Sequence, residues 1–403
     1  RSPQAVLISH GHVDHCGAAP LLLKNHPAAM AYATRPTVSI MDRMLHNSVS
    51  VMHTIARERH INEYPLYEHE DVDVAMARTL ARDYNTTFEV TPTESVRACF
   101  LPAGHVLGSA SVLIEFPGHT VLYTGDICEA DQELLGGRVP LDPSIKVDTL
   151  IIESTYGAND EADSVTYRGE IRRFSRQLAE VLNRGGCVLV PSFALGRAQE
   201  MLNIIARLQE DGLVPDVPVY ASGLGRAIYE VYSRFQDYLK PEATLRPLRQ
   251  FRRIGDVWNP KIARELVGEP CIIVATSGMM MPNTPSAMIA QELVRHEHHG
   301  VFFVGYLDPD TLGYKLLHTK KGEALEFSLP GTPVEVALEN IQWFHFSAHA
   351  PREALRAVVN QLAPKNVVYV HGDPDAVSWM ESQCSNGSRA HAPNTGHTIV
   401  LEA

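Results

Sequence analysis

Ala5-Val6-Leu7-Ile8-Ser9-His10-Gly11-His12-Val13-Asp14-His15 is the stretch that decides how the chain folds. Its apolar run Ala5-Val6-Leu7-Ile8, bounded by a Gly turn, predicts a short buried strand. Three imidazoles and one carboxylate follow within six residues. A strand delivers residues i and i+2 to one side, so His10 and His12 can hold one ion while the next turn carries Asp14 and His15 toward a neighbouring one. The mixed nitrogen and oxygen donors suit zinc or a transition ion of similar preference. With 19 His in 403 residues, such a cluster should arise by chance in about two chains per thousand of this composition. Six adjacent residues cannot close two coordination spheres, so the remaining ligands must come from elsewhere in the chain.

A length of 403 residues exceeds what one hydrophobic core usually supports, which predicts two domains. The apolar fraction of 45% and charged fraction of 20% are those of an ordinary globular protein. No apolar run reaches bilayer length and nothing resembles a signal peptide, so no membrane partner and a cytoplasmic location are expected. Cys16, Cys99, Cys128, Cys187, Cys271 and Cys384 form no Cys-x-x-Cys pair and read as reduced, mostly buried thiols. A formal net charge of -12 argues against a surface coated in nucleic acid but is compatible with a basic cleft. The chain opens at Arg1-Ser2-Pro3 without an initiator Met, ten residues before the histidine cluster, so preceding residues are expected.

From Leu21 to about Arg82 the pattern reads as helical, a cap of helices over the cluster. Period-two runs then predict strands at Phe88–Val90, Val96–Phe100, Ser111–Phe116, Thr120–Tyr123 and Thr149–Ile152. After about residue 165 the rhythm becomes strand, turn, helix. Cys187–Val190 precedes a helix over 196–209, Val217–Tyr220 one starting near Gly225, and Cys271–Ala275 one over 286–295, with Val301–Val304 following. Such alternation indicates a parallel sheet with crossover helices. A last strand, helix, strand unit runs from Val334 through 352–362 to Val367–Val370. The reading is an α/β module inserted into a first domain, with segments 1–165, 166–334 and 335–403.

Leu101-Pro-Ala-Gly-His105 lies in a Gly-flanked loop, Tyr123-Thr-Gly-Asp126 ends a strand, and Val367-Val-Tyr-Val-His371-Gly372 repeats strand, His, Gly. Each alone could be an ordinary loop residue. Together with His10–His15 they resemble the metallo-β-lactamase superfamily. The resemblance implies His10, His12 and His105 on one zinc ion, Asp14, His15 and His371 on a second, and Asp126 bridging. Ile151-Ile-Glu153-Ser-Thr-Tyr-Gly157, Val190-Pro-Ser-Phe-Ala-Leu-Gly-Arg-Ala-Gln-Glu200, Ser277-Gly-Met-Met280, Phe303-Val-Gly-Tyr306 and Phe346-Ser-Ala-His349 are similar to the β-CASP nucleases, the group that contains the mRNA 3′-end-processing endonuclease and its bacterial and archaeal relatives. This implies an αββα sandwich, its N-terminal strands missing from this chain, with an inserted β-CASP domain holding a mainly parallel sheet. A His at position 371 is similar to the RNA-cleaving members. A homodimer or partners in a processing complex are also compatible with the resemblance.

The chemistry agrees with it. Two ions about 3.5–4 Å apart lower the pKa of a bridging water and neutralise charge on a scissile phosphate. The leaving oxygen then needs a proton. His349 is not required as a ligand and is available as general acid, with Glu153 carried over as the carboxylate that holds its imidazolium. Relatives often carry an acid just after that His, where this chain has Ala350-Pro351.

For substrate grip, the turns Ser222-Gly-Leu-Gly-Arg226 and Thr276-Ser277-Gly278 could offer N–H groups to phosphates, though each is equally an ordinary strand-to-helix turn. Arg197 and Arg226 lie beside such turns. The run Arg246, Arg249, Arg252, Arg253 with Phe251 and Trp258 combines charge with stacking surface and is the expected track for single-stranded RNA. His296-Glu-His298-His299 reads as a helix end rather than another metal site. The expected function is a two-zinc ribonuclease. The alternatives are a hydrolase of another ester or thioester on the same metals, or a silent RNA-binding subunit.

Overall fold

The computed structural model describes residues 2–91, 95–160, 165–385 and 387–401. Two sheets face each other in the first domain. The smaller is parallel, with strands Ala5–Leu7, Met30–Thr34 and Thr79–Arg82 in that order. The larger has seven strands, in the order Arg389–His391, Asn366–Val370, Thr149–Glu153, His119–Tyr123, Ala110–Phe116, Val96–Pro102 and Thr87–Thr91. Tyr32, Val90, Phe100, Ala110 and Val112 fill the space between the sheets. Helices Ala19–Asn25, Arg35–Arg59 and His69–Ala77 cover the outer face of the small sheet. Helices Arg352–Leu362 and Pro374–Ser382 cover that of the large one. The arrangement is the expected αββα sandwich.

The region expected to be a cap of helices is different. Met30–Thr34 and Thr79–Arg82 are strands, paired in register Ala31↔Thr79 through Thr34↔Arg82. In Met30-Ala-Tyr-Ala-Thr34 four of the five positions are buried, so the strand shows no polar alternation and its pattern is silent on period.

The inserted module is built on a six-stranded parallel sheet in the order Arg252–Arg253, Val219–Ala221, Ile272–Ala275, Val188–Pro191, Gly300–Phe303, Asn340–Trp343. Helices Tyr167–Asn183, Arg197–Glu210 and Gly223–Arg234 pack on one face. Helices Pro260–Leu266, Pro285–Leu293 and Leu312–His318 pack on the other. Strand Asn340–Trp343 lies past the boundary expected at 334, so the module's sheet reaches further into the chain than the pattern indicated. The expected helix over 286–295 stops at Leu293, and His296–His299 form a turn after it. His299 is buried there and its Nδ1 accepts the Cys187 N–H at 2.9 Å. Among the described residues no helix is long and apolar enough to cross a membrane.

A buried seam joins the two domains. Ile40 of the long helix, Val106 and Leu107 of the loop after His105, Leu134 and Leu135, Leu195, and Ile228 and Tyr232 of the inserted module pack as one cluster. This seam brings the loop Ser192–Gly196 against the histidine cluster.

Candidate metal centre

His10 and His12 leave the end of strand Ala5–Leu7, and His12 is the N-cap of the short helix Val13–Cys16 that carries Asp14 and His15. Gly11 is needed between them, because a Cβ there would run into Ile40 Cγ2 on the long helix. His105 comes from the loop after Val96–Pro102, Asp126 from the loop after His119–Tyr123, Glu153 from the end of Thr149–Glu153, and His371 from the residue after Asn366–Val370. Glu153 closes its strand, and the others follow the C-terminal end of one. His371 holds a left-handed φ of 54°.

The donors converge in two groups. His12 Nδ1 lies 3.0 Å from His10 Nε2 and 3.2 Å from His105 Nε2. Asp126 Oδ2 is 3.6 Å from both of those Nε2 atoms. On the other side, His15 Nε2 is 3.2 Å from His371 Nε2 and 3.4 Å from Asp14 Oδ2. Asp126 Oδ2 reaches this group as well, 3.3 Å from His15 Nε2. Within each group the ligand atoms lie within 4.8 Å of one another.

The hydrogen bonds around the rings show that a cation fits. His105 Nδ1–H donates to Ala348 O at 2.9 Å, which leaves Nε2 a lone pair. His12 Nε2–H points at Leu195 O, 3.4 Å away, which leaves Nδ1 a lone pair. Two lone pairs therefore face each other across 3.2 Å, an arrangement that a shared positive ion makes favourable. Burial pushes the His10 and His105 imidazoles well below their usual range and also lowers His12, which keeps the neutral, ligating form. Asp126 is 3% exposed, and its Oδ1 is buried without a hydrogen-bond partner. Burial alone would raise its carboxyl, but the hydrogen bond from His15 and the surrounding imidazoles bring it well below the usual carboxylate range.

Beside this centre, His349 Nδ1–H donates to Glu153 Oε2 at 2.9 Å. Glu153 is 1% exposed and also accepts the Ile127 N–H at 2.7 Å and the Thr155 hydroxyl at 2.6 Å. Burial lowers the His349 pKa, but the Glu153 carboxylate outweighs it and holds the imidazole up at about 8. The His349 ring centroid is 4.6 Å from that of His105. Thr155 was not singled out from the sequence. Since its proton goes to Glu153, its oxygen accepts from His371 Nδ1 at 3.0 Å and leaves His371 Nε2 facing Asp14.

Next to the centre lies a cleft of about 910 Å³. Ser222, Ser277 and Gly278 line it, as do Phe193 and Ala194, whose neighbour Leu195 touches His12. Two of the expected arginines are elsewhere. Arg197 is 5% exposed, and its guanidinium turns to Gln132 Oε1. Gln132 in turn donates to the carbonyls of Gly104 and His105. Arg197 thus ties the first turn of its helix to the His105 loop instead of reaching a phosphate. Arg226 donates to Phe251 O and is not among the residues that line the cleft. Of the run expected as an RNA track, two members are not at the surface. Phe251 is core, and Arg246 is buried on Glu210 and Glu133. Arg249, Arg252 and Arg253 are exposed, and Trp258 is 55% exposed.

Comparison with known proteins gives three matches along the chain. Residues 1–167 match the metallo-beta-lactamase superfamily, residues 198–316 the Beta-Casp domain, and residues 333–393 the Zn-dependent metallo-hydrolase RNA specificity domain. The chain is 30% identical over 376 residues to the RNase J-like protein of Methanocaldococcus jannaschii, covering 93% of this chain and 82% of that one. It is 30% identical over 403 residues to transcription termination factor FttA of the same organism, covering 94% of this chain and 59% of the factor. Against cleavage and polyadenylation specificity factor 73 of Drosophila melanogaster it is 29% identical over 414 residues, covering 98% of this chain and 57% of that protein. The chain therefore spans somewhat under three fifths of the length of these last two relatives.

Proposed function

The chain belongs to the β-CASP branch of the metallo-β-lactamase superfamily, a family of metal-dependent hydrolases, and from that premise we propose that it hydrolyses phosphodiester bonds of single-stranded RNA. The observation that carries the reading is the 2.9 Å bond from His349 Nδ1 to Glu153, which sets a proton donor beside the two donor groups. His10, His12 and His105 would hold one zinc ion and Asp14, His15 and His371 a second, with Asp126 reaching both. When bound, such a pair supplies an acidified water and neutralises charge on the phosphate.

The chain's own residues do the rest. His349 Nε2 is the nitrogen left free by the Glu153 bond, and it gives its proton to the departing 3′ oxygen. Glu153 keeps that imidazole charged and fixed in orientation. Asp14 is the most open carboxylate of the set, its side chain 65% exposed, and it carries the proton from the attacking water to solvent. The products are a 5′-phosphate and a 3′-hydroxyl. A cytoplasmic location belongs to the same reading, and it is supported by the likeness to an archaeal termination factor.

The test is incubation of the protein with 5′-labelled single-stranded RNA, with and without chelator. Cleavage that stops on chelation and returns with zinc is expected. Absence of any chelator-sensitive cleavage overturns the proposal.

A further inference from the structure

The cleft beside the metal centre sits where the topology of the inserted sheet places a ligand. Strands Val219–Ala221 and Ile272–Ala275 are parallel neighbours in register Val219↔Ile272 to Ala221↔Val274. The helix after the first, Gly223–Arg234, packs on one face of the sheet, and the helix after the second, Pro285–Leu293, packs on the other. Connections leaving adjacent strands in opposite directions open a crevice beyond their C-terminal ends. Ser222–Leu224 and Thr276–Gly278, the residues that leave those two ends, line the cleft. Its volume of about 910 Å³ lies near the top of the roughly 300–1,000 Å³ range of ligand sites.

One wall carries an aromatic side chain that the fold leaves uncovered. Trp258 is 55% exposed, yet it does not swing freely, because its Nε1–H donates to Asn283 O at 3.0 Å and its backbone N–H to Asp256 Oδ1 at 3.3 Å. Asn283 also exchanges hydrogen bonds with the backbone of Leu329, which fixes the support on which the indole rests. A held, exposed aromatic face costs little further ordering when it takes a partner. The same wall carries a cation, Arg253. Arg249 is exposed nearby in sequence, whereas Arg252 lies over the Tyr220 ring and lines a separate cavity. None of the three has a carboxylate partner among the described residues, whereas Arg173, Arg207 and Arg246 of the same module are each paired with glutamate. Asp256 is the one acid in the lining, and the Trp258 N–H engages it.

We infer that Trp258 and Arg253 form an anchoring subsite for one nucleotide of the RNA strand, away from the scissile phosphate, with the base stacked on the indole and its phosphate near Arg253. This deepens the proposed function and rests on it. Phe193 and Ala194 line the same cleft, and the carbonyl of the next residue, Leu195, lies 3.4 Å from His12 Nε2. A stacking subsite is tolerant of sequence, because every base presents a π face, so it gives grip without base choice.

The experiment compares wild type, Trp258→Ala and Trp258→Phe on a 12-nucleotide single-stranded RNA and on a trinucleotide, reading KM and kcat with zinc present. Binding of the 12-mer to the chelated protein is read in parallel by fluorescence anisotropy. Stacking of one base predicts that Trp258→Ala raises KM and Kd for the 12-mer by about tenfold or more. It also predicts that kcat and all constants for the trinucleotide stay within twofold, and that Trp258→Phe recovers most of the loss. A 12-mer with a single abasic nucleotide should reproduce the loss at one position only. Equal KM and Kd for wild type and Trp258→Ala on the 12-mer overturn the subsite while leaving the ribonuclease reading intact. So does a change in oligomeric state on Trp258→Ala with RNA binding unaltered, which would make the indole a protein contact. A wild-type protein that neither binds nor cleaves RNA overturns both.

Discussion

Glu153→Gln is the substitution that most directly tests the proton-donor arrangement. The carboxylate accepts three hydrogen bonds, from Ile127 N–H at 2.7 Å, the Thr155 hydroxyl at 2.6 Å and His349 Nδ1 at 2.9 Å. Ile127 N–H bonds Oε1 while Thr155 and His349 share Oε2, so a glutamine that keeps its oxygen on the fixed Ile127 N–H presents its amide N–H to Thr155 and His349. His349 must then expose the lone pair of Nδ1, so Nε2 retains a proton but the ring loses its charge and becomes a far weaker acid. A hydrogen bond to a charged partner contributes about 1.5–3 kcal/mol, and each 1.4 kcal/mol is tenfold in rate, so kcat should fall by about one to two orders of magnitude. His349→Ala should remove the whole of the general-acid effect, about 10²–10⁴. The assay is single-turnover cleavage of an RNA with one scissile linkage, compared with the same RNA carrying sulfur in place of the 3′ bridging oxygen. A thiolate leaves without protonation, so the sulfur substrate should be cleaved by Glu153→Gln at close to the wild-type rate. Equal loss on both substrates, with zinc content unchanged, would refute the assignment of His349 as acid.

Other expectations follow from the same geometry. Asp126 reaches both donor groups, so Asp126→Asn should lower bound zinc, measured by elemental analysis, with cleavage lost in proportion. Arg197→Met removes one charged donor to Gln132 but also removes Nε and Nη1, which are buried without hydrogen-bond partners. These effects are of similar size and opposite sign, about 1–3 kcal/mol each, so the melting temperature should shift by only a few degrees. KM for RNA should be unchanged, and a tenfold rise in KM would return Arg197 to the substrate. Gly196 has φ 86°, and a Cβ there would meet Val106 Cγ1 at 2.7 Å, so Gly196→Ala should cost about 1–3 kcal/mol in urea unfolding. Burial pushes the Glu200 carboxyl from 4.5 up to about 7. A folded-state value above the unfolded one means the native chain binds the proton more tightly, so stability from this group is full below about pH 4.5 and declines until about pH 7. The loss amounts to about 3 kcal/mol. Glu200→Gln should flatten that part of the urea midpoint profile, and parallel profiles for the two proteins would refute it.

Much of the architecture could be read from the chain because its signals are local. The strands of the large sheet alternate, as in Val96–Pro102 with its buried and exposed positions in turn, and the inserted module repeats strand, turn and helix at regular spacing. Met30–Thr34 escaped because it is buried on both sides, and Asn340–Trp343 because four half-buried positions carry no period. The histidine and aspartate cluster was legible for a different reason. Metal donors are scarce residue types, and they sit one to three residues past a strand end or, for His12, Asp14 and His15, at and just inside the short helix that follows one, so sequence order preserves their grouping.

The residues of the cleft were not legible in this way, since an arginine looks the same in sequence whether it meets solvent or a buried glutamate. Arg197, Arg246 and Phe251 had the right chemistry in the right neighbourhood, and packing turned all three inward. The sequence by itself determined which residues are candidates to hold metal and donate a proton, because coordination and acid chemistry depend on residue type. Only the tertiary structure decided which side chains face the cleft, because exposure depends on what the rest of the chain places on top of them. Trp258 is uncovered and Phe251, seven positions earlier, is sealed, and no local pattern distinguishes the two.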